Sequence, residues 1–397
     1  MNGGAVLIAI GLAGPALVLV IYPLLLSLLP SASPKRAAYR DGPRPSVSLP
    51  SVSLIVAFAG GGALLTRKLA TIAALDWPAD RLEAILIADG PDDDADRAAV
   101  EAAAEASGLH LRYAALGASR GKAHALNAAA GMASGDCLVF SDLDAALAPE
   151  ALDTLLAPFA DPQVGGVCGQ RVIGTTGGLA AAGQRGYIAW DSRLKLAENR
   201  LGAITSNDGK LYAIRRSLFQ PVLPSATDDL YTALTVILAG ARFVFAPDAK
   251  AVIPPPSWSL GHDFRRRRRV TIRSLSGLLA RPRALGLMRF GLFGPRLVVN
   301  KLLRRLLPVF ALCLLAGSAL LAGETPWARA LLGGQLAVYG GAALYPLAGR
   351  WIGESRLGRR WQQAFYACFG MAAMLVGVVE YLGGRRIAQW QPRKTQE

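Results

Sequence analysis

Residues 137–144 read CLVFSDLD, an apolar run that ends in two aspartates. The run from Cys137 to Ser141 predicts a buried strand, because it is short and apolar. In an extended segment residues two apart face the same way, so Asp142 and Asp144 are expected on one side of the strand's end. Two such carboxylates provide the hard oxygen ligands that Mg²⁺ or Mn²⁺ prefer. A solvated turn is the other interpretation, since aspartate is common in turns.

Short apolar strands alternate with helices in the residues before this stretch. Strands are predicted at 52–58, 82–88, 109–115 and 137–141, and helices at 64–75, 97–106 and 122–133. This alternation indicates an α/β fold with a mostly parallel sheet that is covered on both faces. Ligands of such sheets bind at the carboxyl ends of the strands. Asp89 follows the second strand and Asp142 the fourth, so both are expected at that edge.

The remaining candidate carboxylates stand in two groups. Asp228 and Asp229 precede the helix predicted at 230–238, where they can cap the helix and pair with its dipole. Alternatively, one of them is a general base, because adjacent carboxylates raise each other's pKa. The aspartates after Gly90 are expected to form a solvated acidic turn: Asp92, Asp93, Asp94 and Asp96.

Composition excludes several classes of protein. Of 397 residues, 52% are hydrophobic and 18% are charged, which is too apolar for a disordered chain. Four cysteines in this length exclude a disulfide scaffold. The run Gly60–Gly62 is not a dinucleotide fingerprint, and no P-loop motif occurs. The net charge of +15 leaves nucleic acid, an anionic membrane surface or an acidic substrate as partners.

Four apolar runs predict membrane spans. The first, Ala5 to Leu29, has no charged residue and is long enough to cross a bilayer. The others are at 306–323, 330–349 and 364–384. The basic residues that follow the first run favour an uncleaved anchor whose chain continues on the cytoplasmic side: Lys35, Arg36, Arg40 and Arg44. Four spans in total would put the C-terminus outside. The basic residues of the tail favour the inside instead: Arg385, Arg386, Arg393 and Lys394. The prediction is therefore two or three spans after the cytoplasmic domain.

The charges divide the chain into four predicted parts. They are a transmembrane anchor over 1–30, a cytoplasmic domain over 46–255, a basic juxtamembrane segment over 256–305 and membrane helices over 306–385. From His262 to Arg305 thirteen basic residues stand against one acid, Asp263. Basic side chains beside a membrane attract anionic lipid. Arg265–Arg269 lacks the interleaved aromatic residues of a nucleic-acid-binding stripe, so no nucleic-acid partner is expected.

Seven longer motifs surround the aspartates in a fixed order. They are VSLIVAF (52–58), KLATIAALDWPADRLEAILIADG (68–90), RGKAHALNAA (120–129), VFSDLDA (139–145), PFADPQVGGVCG (158–169), DGKLYAIRR (208–216) and TDDLYTALTVILAGARFVFAPDA (227–249). In this order they resemble the membrane-bound inverting glycosyltransferases of family 2, the cellulose, chitin and hyaluronan synthase-like enzymes. The resemblance implies a GT-A fold and sugar transfer from a nucleotide-sugar donor, most commonly a UDP-sugar. The expected acceptor is a lipid or glycan at the cytoplasmic face of a bacterial-type inner membrane.

The resemblance also implies roles for individual residues. On the donor side, Asp89 would bind the base, Lys122 would lie near the diphosphate, and Asp142 and Asp144 would hold the phosphates and Mg²⁺ or Mn²⁺. Asp229, paired with Asp228, would be the catalytic base. Asn207, Asp208 and Gly209 would lie beside the acceptor, and Arg269 would replace a donor-binding arginine.

Two departures from the family pattern leave alternatives open. Ala59–Gly62 stands where the family has Asn-Glu-Glu, so a donor-binding pseudoenzyme is one alternative. The Gln and Trp of the processive Gln-x-x-Arg-Trp motif are absent around Arg269, so single-sugar transfer is at least as well supported as a processive exopolysaccharide synthase. A nucleic-acid-binding membrane protein and a transporter are the alternatives from other classes, although Glu380 is the one acidic residue within the four runs.

Overall fold

A computed structural model describes residues 2–29, 49–174, 179–255, 259–286, 289–352 and 355–388, and all structural statements concern these ranges. The basic residues expected to orient the first span lie outside them, as do two of the tail (Lys35, Arg36, Arg40, Arg44, Arg393 and Lys394). The bounds of the four predicted parts of the chain stay predictions.

The strands form one mixed eight-stranded sheet in the order β3-β2-β1-β4-β7-β6-β8-β5. Their bounds are β1 Val52–Phe58, β2 Leu82–Ala88, β3 His110–Ala115, β4 Cys137–Ser141, β5 Ala146–Leu147, β6 Val164–Ile173, β7 Leu211–Arg215 and β8 Arg242–Ile253. The first four strands pair in parallel, whereas β7 is antiparallel to both of its neighbours. The predicted α/β fold and its four strands are therefore confirmed, with β3 starting one residue later than expected.

Helices cover both faces of the sheet and extend beyond it. Their bounds are α1 Gly3–Leu28, α2 Gly62–Ala73, α3 Asp94–Ser107, α4 Lys122–Met132, α5 Ala151–Leu156, α6 Leu179–Asn199, α7 Asp228–Leu238, α8 Leu260–Leu279, α9 Arg289–Leu297, α10 Leu307–Leu321, α11 Pro326–Ile352 and α12 Arg356–Leu382. A π-helical segment, Val298–Leu303, continues α9 towards α10. Every residue of β1, β2 and β4 is buried, which explains why these strands are apolar on both faces.

The register of the central strands brings the sequence motifs together. Phe58 pairs with Ala88, so Asp89 follows at the carboxyl end of β2. Leu211 at the start of β7 lies opposite Ser141 at the end of β4. Because these two strands are antiparallel, the residues just before Leu211 meet Asp142 at the same edge of the sheet.

The expectation of a solvated acidic turn is wrong for Asp96. Asp93 caps α3 by accepting hydrogen bonds from the backbone N–H groups of Ala95 and Asp96. The buried carboxylate of Asp96 accepts hydrogen bonds from Gly61 N and Gly62 N, both at 3.0 Å. Asp96 therefore fixes the glycine turn after β1, and this partner lies too far along the chain for local sequence rules to identify it.

Two described helices are long and apolar enough to cross a membrane, Gly3–Leu28 and Arg356–Leu382. A third candidate is the pair Leu292–Leu303 and Leu307–Leu321, which is bent by 65°. Gly4, Gly11 and Gly14 of α1 face α10, and a Cβ at Gly11 would meet Leu314 Cβ at 2.7 Å, so close packing requires glycine there. The count of four spans stays a prediction.

A buried hydrogen-bond network joins α1 to the sheet domain around Glu198, whose side chain is fully buried. The Tyr22 hydroxyl donates to Glu198 Oε1, and Thr205 N donates to Glu198 Oε2 at 2.7 Å. Asn300 Nδ2, from the segment after α9, donates to Thr205 Oγ1 at 2.8 Å. The apolar N-terminal helix is thus connected to the segment that precedes Asn207.

Candidate active site

Two lysines join three carboxylates in one chain of ion pairs at the carboxyl end of β4. Lys122 Nζ lies 2.7 Å from Asp142 Oδ1 and 2.9 Å from Asp228 Oδ2. Lys210 Nζ lies 2.9 Å from Asp142 Oδ2 and 2.6 Å from Asp144 Oδ1. The structure therefore brings together four of the residues that the sequence predicted for the site, and adds Lys210.

The convergence of Asp142 and Asp144 arises differently from the prediction. β4 ends at Ser141, and residues 142–145 form a turn in which Ala145 N donates to Asp142 O at 3.2 Å. The two carboxylates meet at one ammonium group because of this turn, and not because a strand continues through them.

Burial and charge act in opposite directions on these groups. Burial alone would raise the pKa of Asp142, but Lys122 and Lys210 hold it well below its usual value. Burial alone would lower the pKa of Lys122, but Asp142 and Asp228 raise it. Both partners are therefore ionised at neutral pH, and the two ammonium groups offset most of the negative charge of the three carboxylates.

Asp229 differs from its neighbour Asp228. No described residue forms an ion pair with it, and its Oδ1 accepts a hydrogen bond from Leu230 N at 2.7 Å. Burial, followed by the charge of Asp228, raises the pKa of Asp229 to about 6. A carboxylate with this pKa can accept a proton near neutral pH, as a general base must.

The predicted acceptor-side segment lies directly against these carboxylates. Asn207 Nδ2 donates to the backbone oxygen of Asp229 at 3.1 Å. Asp208 Oδ2 lies 3.2 Å from Nε of Arg171. A Cβ at Gly209 would lie 3.8 Å from both Asp228 Oδ2 and Lys122 Nζ. Any side chain larger than alanine at Gly209 would therefore enter the site.

Asp89 lies apart from the cluster and orders the loop before α4. Its side chain is 2% exposed, and Oδ1 accepts hydrogen bonds from Arg120 N at 2.7 Å and Gly121 N at 3.0 Å. Gly121 has a φ of 101°, a conformation that favours glycine, and it immediately precedes Lys122. The structure thus shows Asp89 positioning Lys122, while contact with a nucleotide base stays a prediction.

Arg269 is also separate from the ion-pair chain. Among the described residues it has no hydrogen-bond or ion-pair partner, and its role in donor binding stays a prediction. Arg273, one turn further along α8, is buried and donates from Nε to Ala226 O at 2.9 Å, just before the Asp228 pair. Sequence analysis missed Arg273 because a basic helix face does not show which arginine turns inward.

Lys68 is a further residue that sequence analysis missed. Its Nζ donates to Ser141 Oγ and Ala145 O, both at 2.7 Å, and so bridges the two ends of the Asp142–Asp144 turn. The side chain is 1% exposed, and burial lowers its pKa to about 7 although Asp142 and Asp144 oppose the shift. The sequence feature that could have indicated its burial is its position on the apolar face of α2, one residue before the buried Leu69.

The chemistry of Asp142 and Asp144 fits a divalent ion. Their oxygens converge on cationic groups, and Mg²⁺ typically takes one or two carboxylates together with substrate phosphates. No group of three or more His, Cys, Asp or Glu side chains that could hold a metal occurs in the ranges that the structure describes. The remaining ligands would therefore have to come from the donor or from water.

The mixed sheet with carboxylates that converge at the end of β4 agrees with the expected GT-A fold. The model of the family "Glycosyltransferase like family 2" matches residues 50–273, more than half of the chain. The chain belongs to this family and is a glycosyltransferase.

Individual proteins are similar to this chain in sequence or in fold. An N-acetylglucosaminyltransferase of Rhizobium meliloti (strain 1021) is 28% identical over 255 residues, which are 58% of this chain and 58% of the relative. The chain thus spans under two thirds of that relative's length. The structure of the mannosyltransferase PcManGT from Pyrobaculum calidifontis, in complex with GDP-Man and Mn²⁺, is similar in fold, with a TM-score of 0.68, 24% identity, and coverage of 96% of this chain and 99% of that one. S. aureus TarS 1-349 is a more distant likeness, with a TM-score of 0.42 and 13% identity over 84% of this chain and 92% of that one.

Proposed function

We propose that this protein transfers a sugar, with inversion, from a nucleotide-sugar to a hydroxyl of a membrane-associated lipid or glycan. The observation that carries the proposal is the position of Asp229. This carboxylate, whose pKa is raised, adjoins Asp228 at the end of the ion-pair chain that includes Lys122 and Asp142. Asn207 Nδ2 donates a hydrogen bond to the backbone oxygen of Asp229. This arrangement separates a proton-accepting group from the groups suited to a diphosphate.

In this mechanism Asp229 takes the proton of the acceptor hydroxyl as the oxygen attacks the anomeric carbon. The bond from that carbon to the diphosphate breaks, and the nucleoside diphosphate leaves with the electron pair. A single direct displacement inverts the anomeric centre. Lys122 stands where it can neutralise the leaving group, since its ammonium already bridges Asp142 and Asp228.

Asp142 and Asp144 would hold Mg²⁺ or Mn²⁺ together with the diphosphate. A divalent ion bound there supplies Lewis-acid stabilisation of the leaving diphosphate. The similar mannosyltransferase structure was determined with Mn²⁺, which supports the choice of metal. Its GDP-Man adds GDP-sugars to the UDP-sugars as donor candidates.

The proposed membrane acceptor rests on how the site meets the apolar helices. Ser206, next to Asn207, accepts a hydrogen bond from Lys301 Nζ at 2.8 Å. Lys301 lies in the segment that leads to α10, one half of the bent candidate span. The acceptor side of the site is therefore held by residues that adjoin the membrane helices, and we place it at the cytoplasmic face of a bacterial-type inner membrane.

The decisive test of the proposed function is a donor screen with the full-length protein in detergent. UDP- and GDP-sugars are supplied with lipid and glycan acceptors, with and without Mn²⁺, and nucleotide release and product length are measured. We expect release that requires both an acceptor and the metal, with the product length separating single from processive transfer. Donor binding without release over the whole panel would instead identify a pseudoenzyme.

Replacing Asp229 tests the catalytic assignment. Asp229→Asn should bind the donor as wild type does but lose transfer by about a hundredfold or more, because general-base catalysis contributes roughly 10² to 10⁴. Donor affinity is measured by calorimetry and transfer by nucleotide release. Asp248→Asn, at an exposed position of β8, is the matched control and should behave as wild type. Unchanged turnover in Asp229→Asn would remove it from the mechanism.

A further inference from the structure

Lys210 lies at the position where the family's metal site is expected. Its Nζ contacts one oxygen of Asp142 at 2.9 Å and one of Asp144 at 2.6 Å. Lys122 takes the second oxygen of Asp142 at 2.7 Å. Three of the four carboxylate oxygens of this pair therefore face an ammonium group.

Strand pairing fixes the backbone of Lys210 opposite Asp142. Lys210 directly precedes β7, whose first residue, Leu211, is in register with Ser141. The backbone oxygen of Lys210 also accepts a hydrogen bond from Ser141 Oγ at 2.9 Å. Lys210 is consequently opposite Asp142 whenever β4 and β7 are paired.

The side chain of Lys210 is largely shielded from solvent. It is 18% exposed, against 34% for Asp144. A divalent ion that approaches these carboxylates must therefore displace a charged ammonium or bind beside it against like-charge repulsion.

We propose that Lys210 is an internal cation that competes with the divalent metal for Asp142 and Asp144. In the free protein the lysine holds the two carboxylates, and the metal gains access when the donor diphosphate brings additional oxygen ligands. The inference rests on the proposed function, since it concerns the cofactor of the same site, and it deepens that function by ordering the binding of metal and donor.

The test measures Mn²⁺ binding to the full-length protein without nucleotide, by the loss of the free Mn²⁺ signal in electron paramagnetic resonance. Lys210→Met, which keeps the length of the side chain but not the charge, should bind Mn²⁺ at least about tenfold more tightly than wild type. Lys250→Met, at an exposed position of β8, is the matched control and should equal wild type. Equal affinity in Lys210→Met and wild type would overturn the proposal.

Two further measurements keep the test decisive if the methionine variant does not fold, which its thermal melt reveals. Lys210→Gln removes the charge but keeps a donor for Asp144, and the same gain in Mn²⁺ affinity is expected. Wild type alone should bind Mn²⁺ at least about tenfold more tightly with UDP or GDP than without, and equal affinity would overturn the proposal. These measurements of Mn²⁺ affinity require no turnover. Failure of the donor screen would therefore contradict the proposed function without changing the conclusion about Lys210.

Discussion

Neighbouring aspartates in this site have different surroundings and therefore different chemistry. Asp228 pairs with Lys122 at 2.9 Å, whereas Asp229 has no described ion-pair partner and feels the charge of Asp228. Burial and that charge both disfavour ionisation of Asp229. One residue of the pair is thereby a fixed counter-ion and the other is suited to accept a proton.

The raised pKa of Asp229 predicts an acid limit to activity. The base is the ionised form, which is present above its pKa of about 6 and is lost as the pH falls below that value. The turnover rate should therefore fall about tenfold per pH unit below pH 6 and be level just above it. Turnover at saturating donor across this range is the measurement.

A variant of the neighbouring residue controls for other titrating groups. In Asp228→Asn the acid limb should move to lower pH, because the charge that raises the pKa of Asp229 is removed. The measurement compares the pH at which turnover begins to fall in Asp228→Asn and in wild type, and it does not depend on the maximum rate of either protein. A limb that stays in place would assign the titration to a different group.

At the scale of elements, α2 supports the turn that carries Asp142 and Asp144. Lys68 reaches from α2 under the turn and binds Ser141 Oγ and Ala145 O. The same hydroxyl of Ser141 donates to Lys210 O at 2.9 Å, which connects the turn to β7. Three elements thus hold the two carboxylates in place.

Loss of the Lys68 ammonium should weaken both the fold and the site. Lys68→Met leaves the buried oxygen of Ala145 without this donor, so we expect a loss of about 1–3 kcal/mol in the free energy of unfolding. Transfer should also fall, because the Asp142–Asp144 turn loses its support. Thermal melts and nucleotide release measure the two effects, with the exposed Lys250→Met as control. Wild-type stability and rate in Lys68→Met would contradict this role.

At the scale of the whole molecule, the basic segment after the sheet domain has a structural role as well as a predicted affinity for lipid. Arg268 pairs with Glu380 of α12 at 3.3 Å, which explains the acid inside the last apolar run. Arg296 donates to Ala203 O at 3.0 Å and fastens α9 to the sheet domain. Some of the basic residues therefore connect helices α8, α9 and α12 and the sheet domain within the protein.

The proposed orientation predicts which side of a membrane the sheet domain faces. Asp80→Cys, at an exposed position before β2, should react with a membrane-impermeant maleimide in inverted inner-membrane vesicles but not in intact spheroplasts. The wild-type protein is the control, since Cys137 and Cys168 are buried and the other two cysteines lie in the apolar helices α10 and α12. Labelling in intact spheroplasts would reverse the orientation.

The local pattern of the sequence was sufficient for the strands in the first half of the chain, and it named several residues that the fold places close together. Apolar runs of strand length bounded by turn residues located β1, β2 and β4 to the residue, because all of their positions are buried. Motif resemblance selected Lys122, Asp142, Asp144, Asp228 and the Asn207–Gly209 segment, and the fold brings them together. The strand predictions succeeded because they depend on neighbours along the chain, whereas the roles of the site residues stay predictions.

Tertiary structure alone decided the partners of the charged residues. Lys68, Asp96 and Lys210 each bind a group from a distant element, and a charged side chain in a sequence gives no sign of whether it is solvated or buried against such a partner. Lys210 shows this most clearly: its place beside Asp142 follows from the register between β4 and β7, which are separated by about seventy residues. The sequence by itself determined which carboxylates gather at the end of β4, and only the folding of the sheet decided which cation stands between them.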